Sequence, residues 1–201
     1  MPIIQKPLGH GRILWVGLNT TRGTFSSWRR EIGIANDGVI GDMYRGMWRT
    51  VSGHDVDYIA TDQIKRGDPV LNLRQITIVD SSELKAASSE AGISIKPGML
   101  RENLFVSFDP VTPGQTFSKL PPLSRLVIGD EDPKVLVLTE ENGPCQTITG
   151  RMALHFKQPH LLKGLRVALR DRRGQMAMVR SGTTRTIRPN DSFQVFPPLP
   201  S

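Results

Sequence analysis

Short apolar runs punctuated by glycine or proline recur along the whole chain, at residues 13–18, 75–79, 104–108, 125–128, 135–139, 166–169, 176–179 and 193–196. Runs of this length bounded by turn residues read as strands. Their even recurrence, with nineteen glycines and fifteen prolines among them, favours a β-sandwich or barrel over a bundle or an alternating βαβ fold. The expected fold is therefore mainly β, with few helices. One helix is well signalled. Asp80 is placed to cap SSELKAASSEA, Glu83 falls at its third position, and Gly92 supplies a stop. A shorter helical turn is expected at 158–162, leading into Gly164. The proline-rich stretch 110–122 reads as a loop over a barrel end, because prolines remove ladder donors. Residues 47–68 read as a long loop with a candidate strand at 56–60.

With 201 residues the chain has the size of one domain and can bury a core without disulfides, so residues 1–201 are taken as a single domain. Its one cysteine excludes an internal disulfide framework, and no Cys/His cluster has the spacing of a zinc site. MPIIQKPLGHGR lacks the apolar segment of a signal peptide, and no run approaches the length of a membrane span. The expectation is a soluble, cytoplasmic protein. The net charge of +7 is local: residues 151–201 carry ten Lys/Arg against Asp171 and Asp191, whereas residues 1–150 carry sixteen basic and seventeen acidic groups. Such a basic segment suits nucleic acid, a smaller phosphorylated ligand, or simple solvation. With seven Phe, three Trp and two Tyr, and no aromatic-rich strand for base stacking, the nucleic-acid alternative is the weakest of these.

Four places carry candidate chemistry. In ENGPCQTITG the sole cysteine, Cys145, follows a Gly-Pro turn signal instead of lying in an apolar run, which points to an accessible thiol; an inert packing role is the alternative. In GVIGDMYRG three glycines surround Asp42, which can hold the turn by accepting backbone N–H bonds. Arg74 opens the run RQITIVD, directed either into a pocket or into solvent at the strand end. In KPGMLRENLFV a Pro-Gly turn precedes Arg101, Glu102 and Asn103. An extended chain projects Arg101 and Asn103 to one face, as a fork and an amide for an anion, and Glu102 to the other; the alternative is that both satisfy internal partners.

Taken in order, GVIGD, RQITIVDSSEL, IKPGMLRENL, LVIGDEDPKVLVLTEENGPC and RGQMAMVRSGTTRTIRPNDSFQV resemble the MOSC family, the molybdenum-cofactor sulfurase C-terminal domain, over roughly residues 10–196. The resemblance implies a compact MOSC-type β-barrel, of the pyruvate-kinase-barrel kind, with a few peripheral helices. It implies that Cys145 carries a persulfide sulfur or ligates molybdenum. Arg101 and Asn103, with Arg74, Asp42 and Thr147 as further candidates, then line a site for molybdopterin or another phosphorylated ligand. A pyridoxal-phosphate-dependent cysteine desulfurase would be the sulfur donor, since no such cofactor site is found here. A further version is a reductase of N-hydroxylated bases or amidoximes, which needs a separate electron-transfer partner. Two departures from the family pattern are the lack of the desulfurase domain of cofactor sulfurases and of the extra N-terminal barrel of amidoxime-reducing relatives. Asn190-Asp191 stands where a Gly-Asp turn is expected, and asparagine tolerates the same left-handed backbone.

Overall fold

The computed structural model describes residues 5–21, 24–51, 64–130, 132–180 and 183–200. Seven strands close into a barrel: β1 (Gly9–Leu18), β13 (Ser192–Phe196), β9 (Arg125–Ile128), β10 (Lys134–Glu141), β11 (Gln175–Val179), β7 (Ile76–Asp80) and β8 (Leu104–Pro110), which returns to β1. All neighbours are antiparallel except β7 and β8, which run parallel with Ile78 opposite Leu104. That pairing requires a crossover, which the chain supplies through helix α1 (Ser81–Ala91). Closure rests on the ten-residue β1, whose residues Gly9 to Arg12 pair with β13 on one side while Gly9 to Val16 pair with β8 on the other, with a register shift between Ile13 and Trp15. The short β2 (Ser27–Arg29) extends its far end.

Alternation along the strands sends Ile13, Ile76, Ile78, Leu104, Val106, Leu126, Ile128, Leu136, Leu138, Phe193 and Val195 into one core. Each is essentially solvent-free. A leucine or isoleucine buried this completely contributes about 2–3 kcal/mol, and together they oppose the chain entropy lost on closing the barrel. The 110–122 loop adds to this core: it contains a 3-10 turn (Phe117–Lys119), and Phe117 and Leu120 pack inside. A second small sheet joins β3 (Ile32–Ala35), β4 (Gly38–Val39) and β12 (Arg185–Ile187), and β5 (Trp48–Thr50) pairs with β6 (Pro69–Leu71). Part of the expected 47–68 loop is therefore strand, and the candidate strand at 56–60 lies outside the described residues.

Helix α1 begins and ends where its signals place it. Asp80 accepts the N–H groups of Ser82 (2.8 Å) and Glu83 (3.3 Å), and Gly92 closes the helix at φ 65°. Two further helices, α2 (Gln146–His155) and α3 (Leu161–Ala168), pack with α1 around a second apolar cluster of Leu84, Leu100, Ile148, Met152, Leu165 and Leu169. The strand expected at 166–169 is thus helical. Leu161, Leu165, Ala168 and Leu169 recur at the spacing of one helix face, and that face is what the cluster buries. Asn190 adopts φ 75°, as the turn before β13 requires.

Candidate functional site

The thiol sits where the barrel hands over to its helical layer. Ladder pairing of β10 ends at Glu141; Asn142 then donates its N–H to Gly174 O at 2.9 Å, and Gly143-Pro144 turns the chain into α2. Cys145 is the N-cap of α2, with extended backbone (φ −110°, ψ 152°) and no side-chain capping bond. Its carbonyl accepts the Thr149 N–H (3.2 Å) and hydroxyl (3.1 Å). The half-buried sulfur lies at the end of a helix whose first-turn N–H groups have no intrahelical acceptor, a position that favours negative charge. Thr147 is exposed in the same first turn.

A guanidinium lies against that sulfur, and it belongs to Arg173. This residue is 8 % exposed, donates to Gly143 O, and lies within electrostatic reach of the Cys145 thiol. Burial draws its pKa below the ordinary arginine value, while Cys145, Glu102 and Tyr44 oppose that loss of charge. Its Nε has no hydrogen-bond partner. Neither has either polar atom of the Asn142 side chain, which is 1 % exposed and adjoins the Gly143-Pro144 turn. Unpaired buried polar groups are rare in folded proteins, and here two residues supply them beside one thiol.

Gly174 explains how Arg173 is held. With φ +82°, a Cβ at this position would stand 1.9 Å from Ile78 O, so only glycine lets the chain pass over β7. Its N–H donates to Ser118 Oγ at 3.0 Å. Behind Arg173 lies Glu102, fully buried, accepting the N–H groups of Gly98 (2.5 Å) and Leu100 (3.1 Å). Burial pushes its pKa up to about 7 against those bonds and against the attraction of Arg173.

Arg101, Asn103 and Asp42 meet in a second buried network organised by Asn19. Asp42 accepts from the Asn19 backbone N–H (2.8 Å) and amide (3.2 Å), from Asn103 Nδ2 (2.7 Å) and from the Tyr44 N–H (2.9 Å). The turn-holding role read from GVIGD is present. Asn103 also donates to Gly17 O (3.3 Å) and accepts the Thr77 N–H (3.1 Å), so its amide is engaged on every side. Arg101 donates to Asn19 Oδ1 (3.2 Å), Thr21 O (3.5 Å) and Met43 Sδ (3.3 Å), and stands 5.0 Å over the Tyr44 ring. It lies before β8 in left-handed backbone, φ 64°, a conformation costing a non-glycine residue about 1 kcal/mol. Arg101 and Asn103 share one network and Glu102 faces another, but Arg101 is in left-handed backbone and only Leu104 onward is strand, so the extended-chain alternation expected here is not what separates them. Tyr44 connects the two networks, because it lies within electrostatic reach of Arg173. Arg74, just before β7, forms a two-point pair with Glu140 on β10, across the intervening β11.

Arg173, Glu102 and Asn142 are the site residues that sequence alone did not single out. Arg173 is one of three arginines in four residues, distinguished only by packing: Arg170 is exposed and Arg172 pairs with Glu90.

A closed seven-strand barrel with an accessible thiol at the start of a flanking helix defines a small cysteine-bearing β-barrel class. The chain belongs to the MOSC domain family, whose model matches residues 70–194. That family is associated with the molybdenum cofactor. No curated protein matches the sequence. Among solved structures, the YuaD protein from Bacillus subtilis is 20% identical, with a TM-score of 0.82 over 98% of this chain and 100% of that one. YiiM from Geobacillus stearothermophilus is 12% identical, with a TM-score of 0.55 over 92% of this chain and 74% of its own. A hypothetical protein, 11% identical, reaches 0.53 over 95% and 69%. These likenesses establish the fold. Among the described residues no helix is long and apolar enough to cross a membrane, and no group of three or more His, Cys, Asp or Glu gathers as a metal site.

Proposed function

We propose that this protein binds the molybdenum cofactor, carries sulfur as a persulfide on Cys145 for metal-sulfur cofactor maturation, or does both at the same thiol. One observation carries the proposal: the sole thiol lies at the positive end of α2 with the buried Arg173 guanidinium against it. Thiolate is the form that attacks sulfur and ligates soft metals, and a cation beside it gives a negatively charged group on that sulfur a partner. The unpaired Arg173 Nε and Asn142 amide offer hydrogen bonds to whatever sits on the sulfur.

These residues fit a molybdopterin group in donor chemistry: Cys145 would hold the metal, and Arg101 would face the phosphate. Bound there, the group would supply a redox-active metal centre. Asp42 and Asn103 act one step back, fixing Arg101 through Asn19, because their polar atoms are already bonded inside the protein. Thr147, exposed in the first turn of α2, is free to donate toward the same ligand. Arg74, paired with Glu140, joins the start of β7 to β10 in the barrel wall.

The test is to purify wild type, Cys145→Ala and Arg173→Gln from a host that makes the cofactor, then measure molybdenum, pterin and the mass of Cys145 peptides after exposure to a persulfide donor. Wild type should retain metal or gain one sulfur atom on Cys145; Cys145→Ala should do neither. Equal, background-level metal and pterin in both, with no sulfur added to Cys145, would refute the proposed function.

A further inference from the structure

The outer wall of the barrel carries a depression of about 500 Å³ where β8, β1 and β13 lie side by side. It sits toward the far end of β8: at about 3.3 Å per residue, Asp109 in its lining lies roughly 17 Å along the strand from Leu104. None of its lining residues belongs to the networks around Cys145 or Asp42.

Strand register builds this place. Arg12 on β1 stands between Ser107 of β8 and Ser192 of β13, and His10 stands in the same way between Asp109 and Gln194. Ile13 faces the core, so alternation turns Arg12 and His10 outward, and both are exposed. The serines on either side are too short to cover the Arg12 guanidinium. The β9–β10 turn forms the end wall: Gly129, at φ 76°, donates its N–H to Ser192 O at 3.0 Å and is followed directly by the exposed Asp130.

The protein leaves the charges of this depression open. His10 and Asp109 face each other at 3.4 Å. Among the described residues, however, neither Arg12 nor Asp130 makes an ion pair or a side-chain hydrogen bond, and the side chains of Ser107, Ser192 and Gln194 make none either. The turn itself does not prevent pairing, because Asp132 is held by Arg185 at 2.9 Å. A guanidinium and a carboxylate kept apart in one concavity complement a molecule that bears both opposite charges. Its carboxylate suits the Arg12 fork and the two serine hydroxyls as donors; its ammonium suits Asp130 and the Gln194 carbonyl as acceptors. A phosphate or a nucleic-acid backbone would instead meet the like charges of Asp109 and Asp130. The volume is that of a small-molecule site, with room for more than the two charged groups.

We propose that this depression binds a small zwitterion, a free amino acid or a short peptide, with its carboxylate at Arg12 and its ammonium at Asp130. The site is independent of the function proposed for Cys145.

The experiment is calorimetric titration of the full chain with L-alanine, L-phenylalanine and glycyl-L-phenylalanine. Two further probes each lack one charge: N-acetyl-L-phenylalanine has no ammonium and L-phenylalaninamide no carboxylate. The His10 ring signals in proton NMR spectra, assigned with His10→Gln, report whether the probe sits in the depression. We expect saturable binding of the zwitterions that shifts the His10 signals, and binding at least about tenfold weaker for each singly charged probe. Arg12→Gln and Asp130→Asn should weaken zwitterion binding by the same factor; both side chains are exposed, and urea unfolding checks that stability is kept. Arg188→Gln, at an exposed arginine outside the depression, and Cys145→Ala should bind as wild type does. The stronger ligand of the set distinguishes a free amino acid from a peptide. Because both contacts are to groups that every amino acid and peptide carries, absence of saturable binding below about 10 mM for all three zwitterions would overturn the proposal. Equal binding of the singly charged probes, unaltered binding by Arg12→Gln and Asp130→Asn, or binding that leaves the His10 signals unmoved would do the same. So would sulfate binding more tightly than any zwitterion, which would make the depression a site for anions alone.

Discussion

Replacing Glu83 by glutamine should remove a specific part of the pH dependence of stability. Glu83 lies on the buried face of α1, 3 % exposed, and accepts the Ser118 N–H at 2.7 Å and hydroxyl at 2.6 Å. Burial raises its pKa from an ordinary 4.5 to about 7; the Ser118 bonds work against the rise and the charges of Asp80 and Glu141 add to it. Below pH 4.5 the carboxyl is protonated in both folded and unfolded chains and its contribution to stability is fully present. Between about 4.5 and 7 the unfolded chain releases the proton while the folded protein keeps it, so stability falls with rising pH, and above about 7 the loss is complete. At ~1.4 kcal/mol per pKa unit the full difference is about 3 kcal/mol. Glutamine cannot titrate. It keeps the acceptor for the Ser118 N–H, and the altered bond to Oγ adds a pH-independent cost of about 1 kcal/mol. Glu102, with a similarly raised pKa, is common to both proteins and cancels in the comparison. Urea unfolding followed by tryptophan fluorescence between about pH 4.5 and 8 should show the wild-type advantage over Glu83→Gln shrinking by about 3 kcal/mol. A difference that stays constant across that range would mean Glu83 is ionised in the folded protein throughout, and that burial does not govern it.

Arg173→Met removes the cation at the thiol while retaining an apolar stem of similar length; alkylation of Cys145 by iodoacetamide near neutral pH should slow by about tenfold, and an unchanged rate would leave the helix end as the sole activator. Gly174→Ala places a Cβ 1.9 Å from Ile78 O in backbone that L-residues avoid, so unfolding experiments should show a loss of at least about 3 kcal/mol, together with slower alkylation of Cys145 as Arg173 shifts.

Much of the barrel was legible because its information is local. The runs at 75–79, 104–108, 125–128 and 193–196 each became strand, and Asp80 and Gly92 bound α1 through their own backbone geometry. The helical layer was harder to read because its information is tertiary. Helix α2 starts at a cysteine that makes no side-chain cap and contains two threonines and a glycine, all weak helix formers, so only the burial of Ile148, Met152 and Ala153 identifies it. Residues 166–169 alternate well enough for a strand when isolated, and the helical period appears only when Leu161 and Leu165 are included. Cys145 could be picked out as an unusual thiol, but its cationic neighbour could not, because Arg173 reaches it across a turn whose path depends on Gly174 crossing β7.

That crossing connects fold to function. Burying a guanidinium with one nitrogen unpaired, over a fully buried carboxyl, is an expensive way to stabilise a turn, and a packed apolar side chain at Arg173 would serve stability at least as well. The same holds for Asn142, whose two polar atoms are sealed from solvent without partners although a leucine would have filled the space. Both departures from good packing occur at the one turn that presents the only cysteine, on the rim of an otherwise apolar cluster. Unpaired buried polar atoms also occur on Ser124, Arg125, Arg151, Gln175 and Arg185, but those of Asn142 and Arg173 are the ones at the turn that presents the cysteine, where the proposed function would give them a ligand to bond. On the function proposed above, that ligand is one bonded through sulfur and carrying negative charge outward.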